Sequence, residues 1–184
     1  MVTMKTKSKM TTILPLTILL LILLLLGACS RICGGNDEPL SIQRTDFTGT
    51  NLRIDGYFYN QFNDTHISVL FLYRNGIVFR ANVLKGEQEQ RFLSEEWLTP
   101  VRNHKGAWGV FLVDGGIIKI ESRANAWCRP FQSFIREGVI LNDTTFRITK
   151  SYNSFGTPDV RSMDRTYHFR AFSPKPDSTN VFIR

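Results

Sequence analysis

The chain has 184 residues, of which 42% are hydrophobic and 21% charged, a composition that excludes a disordered or fibrous protein. Its formal net charge of +7 is spread along the chain, and three of the lysines (Lys5, Lys7 and Lys9) lie close to the N-terminus. Nucleic-acid-binding proteins usually concentrate Lys and Arg on one face, so we expect no nucleic-acid partner. The 14 Phe, 5 Tyr and 3 Trp favour strands over a helical bundle.

Residues 1–28 have the organisation of a secretion signal. The basic start is followed by an almost wholly apolar run, Ile13 to Leu26. That run is short for a membrane-spanning helix, which needs about 20 residues. A basic start, an apolar stretch and small residues at a cleavage site are typical of an exported precursor. We therefore predict that residues 1–28 are a signal peptide.

The run ends in Leu26-Gly27-Ala28-Cys29, which resembles the lipobox of bacterial lipoproteins. The resemblance implies cleavage before Cys29 by the dedicated signal peptidase and attachment of acyl chains to Cys29, which would anchor the protein to a membrane. Because Ser30 rather than Asp follows the cysteine, the resemblance implies the outer membrane of the cell envelope. The chain beyond Cys29 is similar in style to the small uncharacterised envelope lipoproteins of Gram-negative bacteria.

Residues 29–48 read as a flexible tether, because Gly34 to Pro39 has linker chemistry and no apolar period. A β domain is predicted over residues 49–184. Alternation begins near Leu52, the segment His66–Tyr73 is β-rich with apolar residues on both faces, and Asn75-Gly76 is the strongest hairpin signal. On the strand that follows this turn, the pattern predicts two faces. The inward face carries the apolar residues Ile77, Phe79, Ala81 and Val83, and the outward face carries Arg80 and Asn82.

One short helix is expected between Lys85 and Pro100, because its apolar residues fall at helical spacing. Strands resume at Ala107, and Asp114-Gly115-Gly116 predicts a tight turn. The segment 131–141 fits either a helical turn or a strand. Residues 144–150 and 166–172 alternate as strands, residues 153–165 read as a long polar loop, and residues 181–183 read as a last edge strand.

These elements predict an all-β, mainly antiparallel domain of eight or nine short strands with one or two short helical turns. Successive hairpins favour antiparallel pairing. The strand count fits a lipocalin-like barrel, which we prefer to a sandwich.

The sequence contains no nucleophile motif, zinc-binding motif or phosphate-binding glycine loop. We expect no cofactor, and no metal site at His66, His104 and His168, which are far apart in the chain. Cys33 and Cys128 either form a disulfide or remain free thiols; the compartment favours oxidation, and both alternatives stay open.

We therefore predict a lipid-anchored, non-catalytic binding or assembly module whose ligand is a glycan, a lipid, a peptide or an envelope protein. Candidate contacts are aromatic: Tyr57, Trp97, Trp108 and Trp127. The alternative is an envelope hydrolase whose site is assembled from distant residues, with the acid pairs Glu95 and Glu96 or Asp159 and Asp164 as acid and base.

Overall fold

The computed structural model describes residues 35–61, 63–124, 129–157 and 159–183. Cys29, Cys33, Trp127 and Cys128 therefore lie outside the described residues, as do the predicted signal and lipobox. Contacts divide the chain into two units, Met1–Asn36 with Ala126–Pro130, and Asp37–Asn125 with Phe131–Arg184. In the first unit only residues 35–36 and 129–130 are described, and they form no helix or strand. The second unit contains all the described helices and strands.

The second unit is a closed barrel in which every strand pairs antiparallel with its neighbours in the chain, and β1 pairs with β8. Its strands are β1 (Gly56–Gln61), β2 (His66–Leu72), β3 (Ile77–Leu84), β4 (Trp108–Asp114), β5 (Ile117–Ala124), β6 (Gln132–Asn142), β7 (Thr145–Asn153) and β8 (Arg161–Ala171). The predicted all-β class, the antiparallel pairing and the preference for a lipocalin-like barrel are confirmed, with eight strands.

The hairpin signals are confirmed, and several segment predictions change. Gly76 has φ +75° in the β2–β3 turn, and Gly115 and Gly116 have φ +53° and +80° in the β4–β5 turn. The ambiguous segment 131–141 belongs to β6 from Gln132 onward. The predicted polar loop 153–165 was too long, because β8 begins at Arg161. Residues 181–183 form no strand; the Asn180 side chain instead accepts the backbone N–H groups of residues 182 and 183.

Two helices, not one, connect β3 to β4. They are α1 (Gln88–Leu93) and α2 (Glu95–Arg102), followed by a 3-10 turn, Lys105–Ala107. Ser94 separates them, because its hydroxyl accepts the backbone N–H of Trp97 at 3.4 Å and caps the second helix. None of the described helices combines the length and the apolarity needed to cross a membrane.

Two apolar clusters lie on opposite faces of the barrel wall. The first draws side chains from all eight strands, which only the interior of a barrel allows, and it includes Phe58, Leu70, Phe146 and Tyr167. The second lies outside β1–β4 and is covered by both helices and by the C-terminal segment. Phe71 illustrates the outer cluster: its ring lies 5.0 Å from that of Phe92 in α1, measured between centroids.

Residues 37–48, which the sequence assigned to the tether, pack against the barrel; we call them the N-terminal strap. Phe47 is buried, and its ring centroid lies 5.6 Å from that of Phe111 in the interior cluster. Ser41 and Ile42 donate their backbone N–H groups to the carboxylate of Glu121 on β5. The barrel unit therefore begins at Asp37 rather than at residue 49.

Candidate functional site

The interior of the barrel is apolar in one half and polar in the other. The apolar half lies toward the β2–β3 turn, where Leu72, Val78, Phe111 and Ile118 pack together. The polar half lies toward the opposite end, where β3 ends and β4 begins. It contains a cavity of about 140 Å³ lined by residues from six strands: Ser68, Leu70, Arg80, Asn82, Ile120, Arg136, Ile148, Arg165 and Tyr167. That volume is several times the roughly 30 Å³ that one water molecule occupies in the liquid.

Strand register explains why arginines face this cavity. Arg80 pairs with Leu70, Arg136 pairs with Ile120, and Arg165 pairs with Ile148. Side chains that lie directly opposite each other on paired strands share a face, and Leu70, Ile120 and Ile148 belong to the interior cluster. All three arginines therefore point into the barrel.

Two of these arginines share one hydroxyl group. Arg80 Nη1 donates to Ser122 Oγ, and Arg136 Nη1 donates to the same oxygen at 3.1 Å. Ser122 is buried. Because a hydroxyl carries no net charge, this contact brings two cations together without neutralising either of them. The guanidinium groups of Arg80 and Arg136 therefore lie close together in the lumen.

The electrostatics of the cavity are one-sided. None of the nine residues that line it is acidic. Burial, and then the charge of Arg136, lower the pKa of Arg80 from 12.5 to about 9; Tyr167 raises it and Arg165 lowers it further. Burial also lowers the pKa of Arg136. A guanidinium stays protonated in proteins at neutral pH. No carboxylate is among the groups that shift either pKa.

The cavity adjoins an opening in the barrel wall. β3 pairs with β4 only over Ile77–Phe79, although β3 continues to Leu84. In the described structure, residues 80–84 of β3 therefore have no partner on the β4 side. A groove of about 500 Å³ lies there, lined by Arg80, Ala81, Asn82, Pro100, Val101, His104, Gly106, Ala107, Arg123 and Ala124. Arg80 and Asn82 line both the groove and the cavity.

The aromatic residues proposed from the sequence do not converge on this cavity. Tyr57 and Trp108 are fully buried in the outer cluster, and Trp97 packs against it. The Trp108 indole N–H donates to the carbonyl oxygen of Arg102 at 2.6 Å, which fixes the end of α2. Tyr57, Trp97 and Trp108 therefore stabilise the outer packing.

The acids and histidines considered for catalysis or metal binding are also dispersed. Glu95 and Glu96 are exposed at the start of α2. Asp159 pairs with Arg161, and Asp164 pairs with Arg147. In the described part of the chain, no three His, Cys, Asp or Glu side chains are grouped as metal ligands would be.

The alternation of β3 predicted that Arg80 and Asn82 face outward, which was wrong. The apolar residues predicted to face inward belong to the outer cluster: Ile77, Phe79, Ala81 and Val83. The sequence of β2 carries a signal against this prediction, because Phe71 and Leu72 are both apolar and lie on opposite faces of the strand. A strand that is apolar on both faces is covered on both faces, so apolarity alone does not identify the interior face of the neighbouring β3.

No family model, curated protein or solved structure matches this chain. The function is therefore inferred from the chemistry of the lumen. Two guanidinium groups, a buried hydroxyl and a cavity beside an opening in the wall are groups suited to holding a ligand.

Proposed function

We propose that this protein is a non-catalytic binding module, anchored by lipid in the cell envelope, that holds a small ligand in the polar half of its barrel. The observation that carries the proposal is the cavity of about 140 Å³ inside the barrel, next to the β3–β4 opening. Small barrels normally fill their interior with side chains or hold one small ligand. The apolar half does the first, and the polar half is suited to the second.

The lining supports binding rather than catalysis. Guanidinium, hydroxyl and amide groups from Arg80, Tyr167 and Asn82 orient a ligand through hydrogen bonds. A hydrolase would need a nucleophile or an activated water close to a general base. The lining offers no carboxylate, histidine or cysteine for that role.

The anchor part of the proposal rests on Leu26-Gly27-Ala28-Cys29. Two or three acyl chains at Cys29 would hold the barrel at the membrane durably, with the outer membrane as the proposed location. Envelope anchoring suits a module that captures or delivers a ligand at a surface.

A cavity-filling variant tests the binding proposal. The full-length protein, purified in a neutral detergent, is screened by thermal shift against small anionic, neutral and cationic compounds. Ser68→Leu, which places a larger side chain in the cavity, should abolish the shifts seen with the native chain. Ser162→Leu is the matched control, because Ser162 is exposed on β8. If no compound of any class stabilises the native chain, or if Ser68→Leu binds equally well, the lumen is not the binding site.

A further inference from the structure

We infer that the ligand of the lumen carries an oxoanion group, a carboxylate or a phosphoryl group, bound between Arg80 and Arg136. This inference rests on the proposed function, because it names the class of ligand that the cavity accepts. It is carried by the placement of two inward-facing cations around one hydroxyl, in a cavity with no acidic lining.

The first step is charge balance. A charged group removed from water costs several kcal/mol unless it is paired. Protein interiors therefore place arginines beside carboxylates. Here Arg80 and Arg136 both donate to Ser122, and the other charged group acting on them is a third cation, Arg165. An anion between Arg80 and Arg136 would relieve their repulsion, so this site should attract negative charge.

The second step is the supply of donors. A guanidinium carries five N–H donors in a planar fork that matches two oxygens of a carboxylate or a phosphate. In the described structure, Arg80 and Arg136 each make one hydrogen bond, to Ser122. Each guanidinium carries further N–H donors beyond this contact, and a ligand with several acceptor oxygens would accept from them. Ser68 and Tyr167, which also line the cavity, add hydroxyl groups.

The third step is access and size. A cavity of about 140 Å³ holds a group the size of a carboxylate or phosphate but not a large organic molecule. The groove beside it has apolar walls from Pro100, Val101 and Ala107. Because Arg80 lines both spaces, an anionic group in the lumen can carry a short apolar substituent that extends into the groove.

The test compares matched ligands on the full-length protein in a neutral detergent at constant ionic strength. Isothermal titration calorimetry is performed with inorganic phosphate, sulfate, acetate, hexanoate, hexyl phosphate and the neutral hexanol. The variants are Arg80→Gln and Arg136→Gln, which keep a polar side chain and remove the charge. The matched control is Arg147→Gln, because Arg147 is an exposed arginine paired with Asp164 outside the barrel.

We expect at least one of the anions to bind and the neutral hexanol not to bind. Arg80→Gln and Arg136→Gln should each lower the affinity for the anion at least tenfold. Arg147→Gln should bind like the native chain. Tighter binding of hexyl phosphate or hexanoate than of phosphate or acetate would identify the anion as a head group, and equal binding would identify a free ion. Both results support the inference.

A second measurement separates loss of binding from loss of folding. Without ligand, Arg80→Gln should unfold at the same temperature as the native chain or higher, because it removes an uncompensated charge from the lumen. Added anion should raise the unfolding temperature of the native chain but not that of the variant. If Arg80→Gln is less stable without ligand and still binds anions, Arg80 has a structural role and the inference is wrong.

Failure of the inference can be told apart from failure of the proposed function. Binding of hexanol as tight as that of hexanoate, with no effect of Arg80→Gln, refutes the anion and keeps the lumen as a binding site. Loss of anion binding in Arg147→Gln to the same degree indicates nonspecific ion binding and also refutes the inference. If no ligand of any class binds the native chain, both the inference and the proposed function fail.

Discussion

The carboxylate of Glu121 holds the N-terminal strap to the barrel, and replacing it measures the strength of that attachment. Glu121 is fully buried on the outer face of β5. Its oxygens accept the backbone N–H of Ser41 at 2.9 Å and that of Ile42 at 2.6 Å. They also accept the hydroxyl groups of Ser41 at 3.0 Å and of Ser133 at 2.8 Å. Glu121→Gln preserves the shape of the side chain, removes its charge and converts one acceptor into a donor.

The expected loss of stability can be worked out from these contacts. The new amide nitrogen is best placed at the Oε1 position, because the Ser41 and Ser133 hydroxyl groups there can rotate and become acceptors. The amide oxygen at the Oε2 position then still accepts the N–H groups of Ser41 and Ile42, in neutral rather than charge-assisted hydrogen bonds, and the Ser41 N–H loses its second acceptor at the Oε1 position. Hydrogen bonds to charged groups contribute roughly 1.5–3 kcal/mol and neutral ones roughly 0.5–1.5. We therefore expect Glu121→Gln to lower the free energy of unfolding by about 1–3 kcal/mol at neutral pH.

The pH dependence gives an independent check. Burial alone would raise the pKa of Glu121, but nearby donors outweigh it and lower the pKa below its usual 4.5. These are Ser154, Ser41, Ile42 and Ser133; among the described residues, the Ser154 hydroxyl makes no hydrogen bond of good geometry. Because the folded-state pKa is depressed, the contribution of Glu121 is complete above pH 4.5 and is lost as the pH falls through the folded-state value.

Urea unfolding of the native chain and of Glu121→Gln should therefore differ at neutral pH and converge in acid. Glu95→Gln, which replaces an exposed glutamate on α2, is the matched control and should match the native chain at both pH values. A difference below about 0.5 kcal/mol at neutral pH, or one that persists unchanged in acid, would show that the strap is not held by this carboxylate.

Four further predictions concern other parts of the chain. Burial lowers the pKa of Lys175 from 10.5 to about 8. Between these pH values the folded chain binds fewer protons than the unfolded chain, so the free energy of unfolding should rise with pH, by at most about 3 kcal/mol. Urea unfolding of Lys175→Met should show a flatter dependence on pH over the same range. Gly138→Ala would place a Cβ atom 2.1 Å from the carbonyl oxygen of Arg147, and thermal unfolding should show a loss of about 1–3 kcal/mol. Cys29→Ala should leave unprocessed precursor, whereas intact-mass spectrometry of the native protein should show an acylated chain that begins at Cys29; a native chain that begins at Met1 would contradict the anchor. Thiol counting on the denatured, non-reduced protein decides between a disulfide of Cys33 with Cys128 and two free thiols.

The β architecture could be predicted because its signals are local. The β-rich composition of β2, the alternation of side chains in β7, and the glycines at 76, 115 and 116 specify hairpins whatever the rest of the chain does. The boundary of β8 could not be predicted, because its first half is polar: Asp164 forms its ion pair with Arg147 of β7, a contact that only strand pairing creates. Cys29, Cys33 and Cys128 remain predictions.

The candidate site could not be predicted because the orientation of β3 depends on a second apolar cluster. Alternation divides β3 into two faces but does not say which one is interior. The usual assumption is that the more apolar face lies inside, and here that face, with Phe79 and Ala81, is covered by the helices and the C-terminal segment instead. Arg80 and Asn82 were therefore assigned to solvent when they line the lumen and its opening.

The outer cluster also explains how the barrel tolerates a charged interior. A small barrel ordinarily depends on its filled interior for stability, and inward-facing arginines reduce that contribution. In this protein Tyr57, Phe71, Phe79 and Trp108 are buried on the outside of β1–β4. Each large buried side chain contributes roughly 1.5–3 kcal/mol by removal from water. Burial on both faces of the wall around the β3–β4 opening thus stabilises the barrel from outside and leaves the polar half of the lumen available for a ligand.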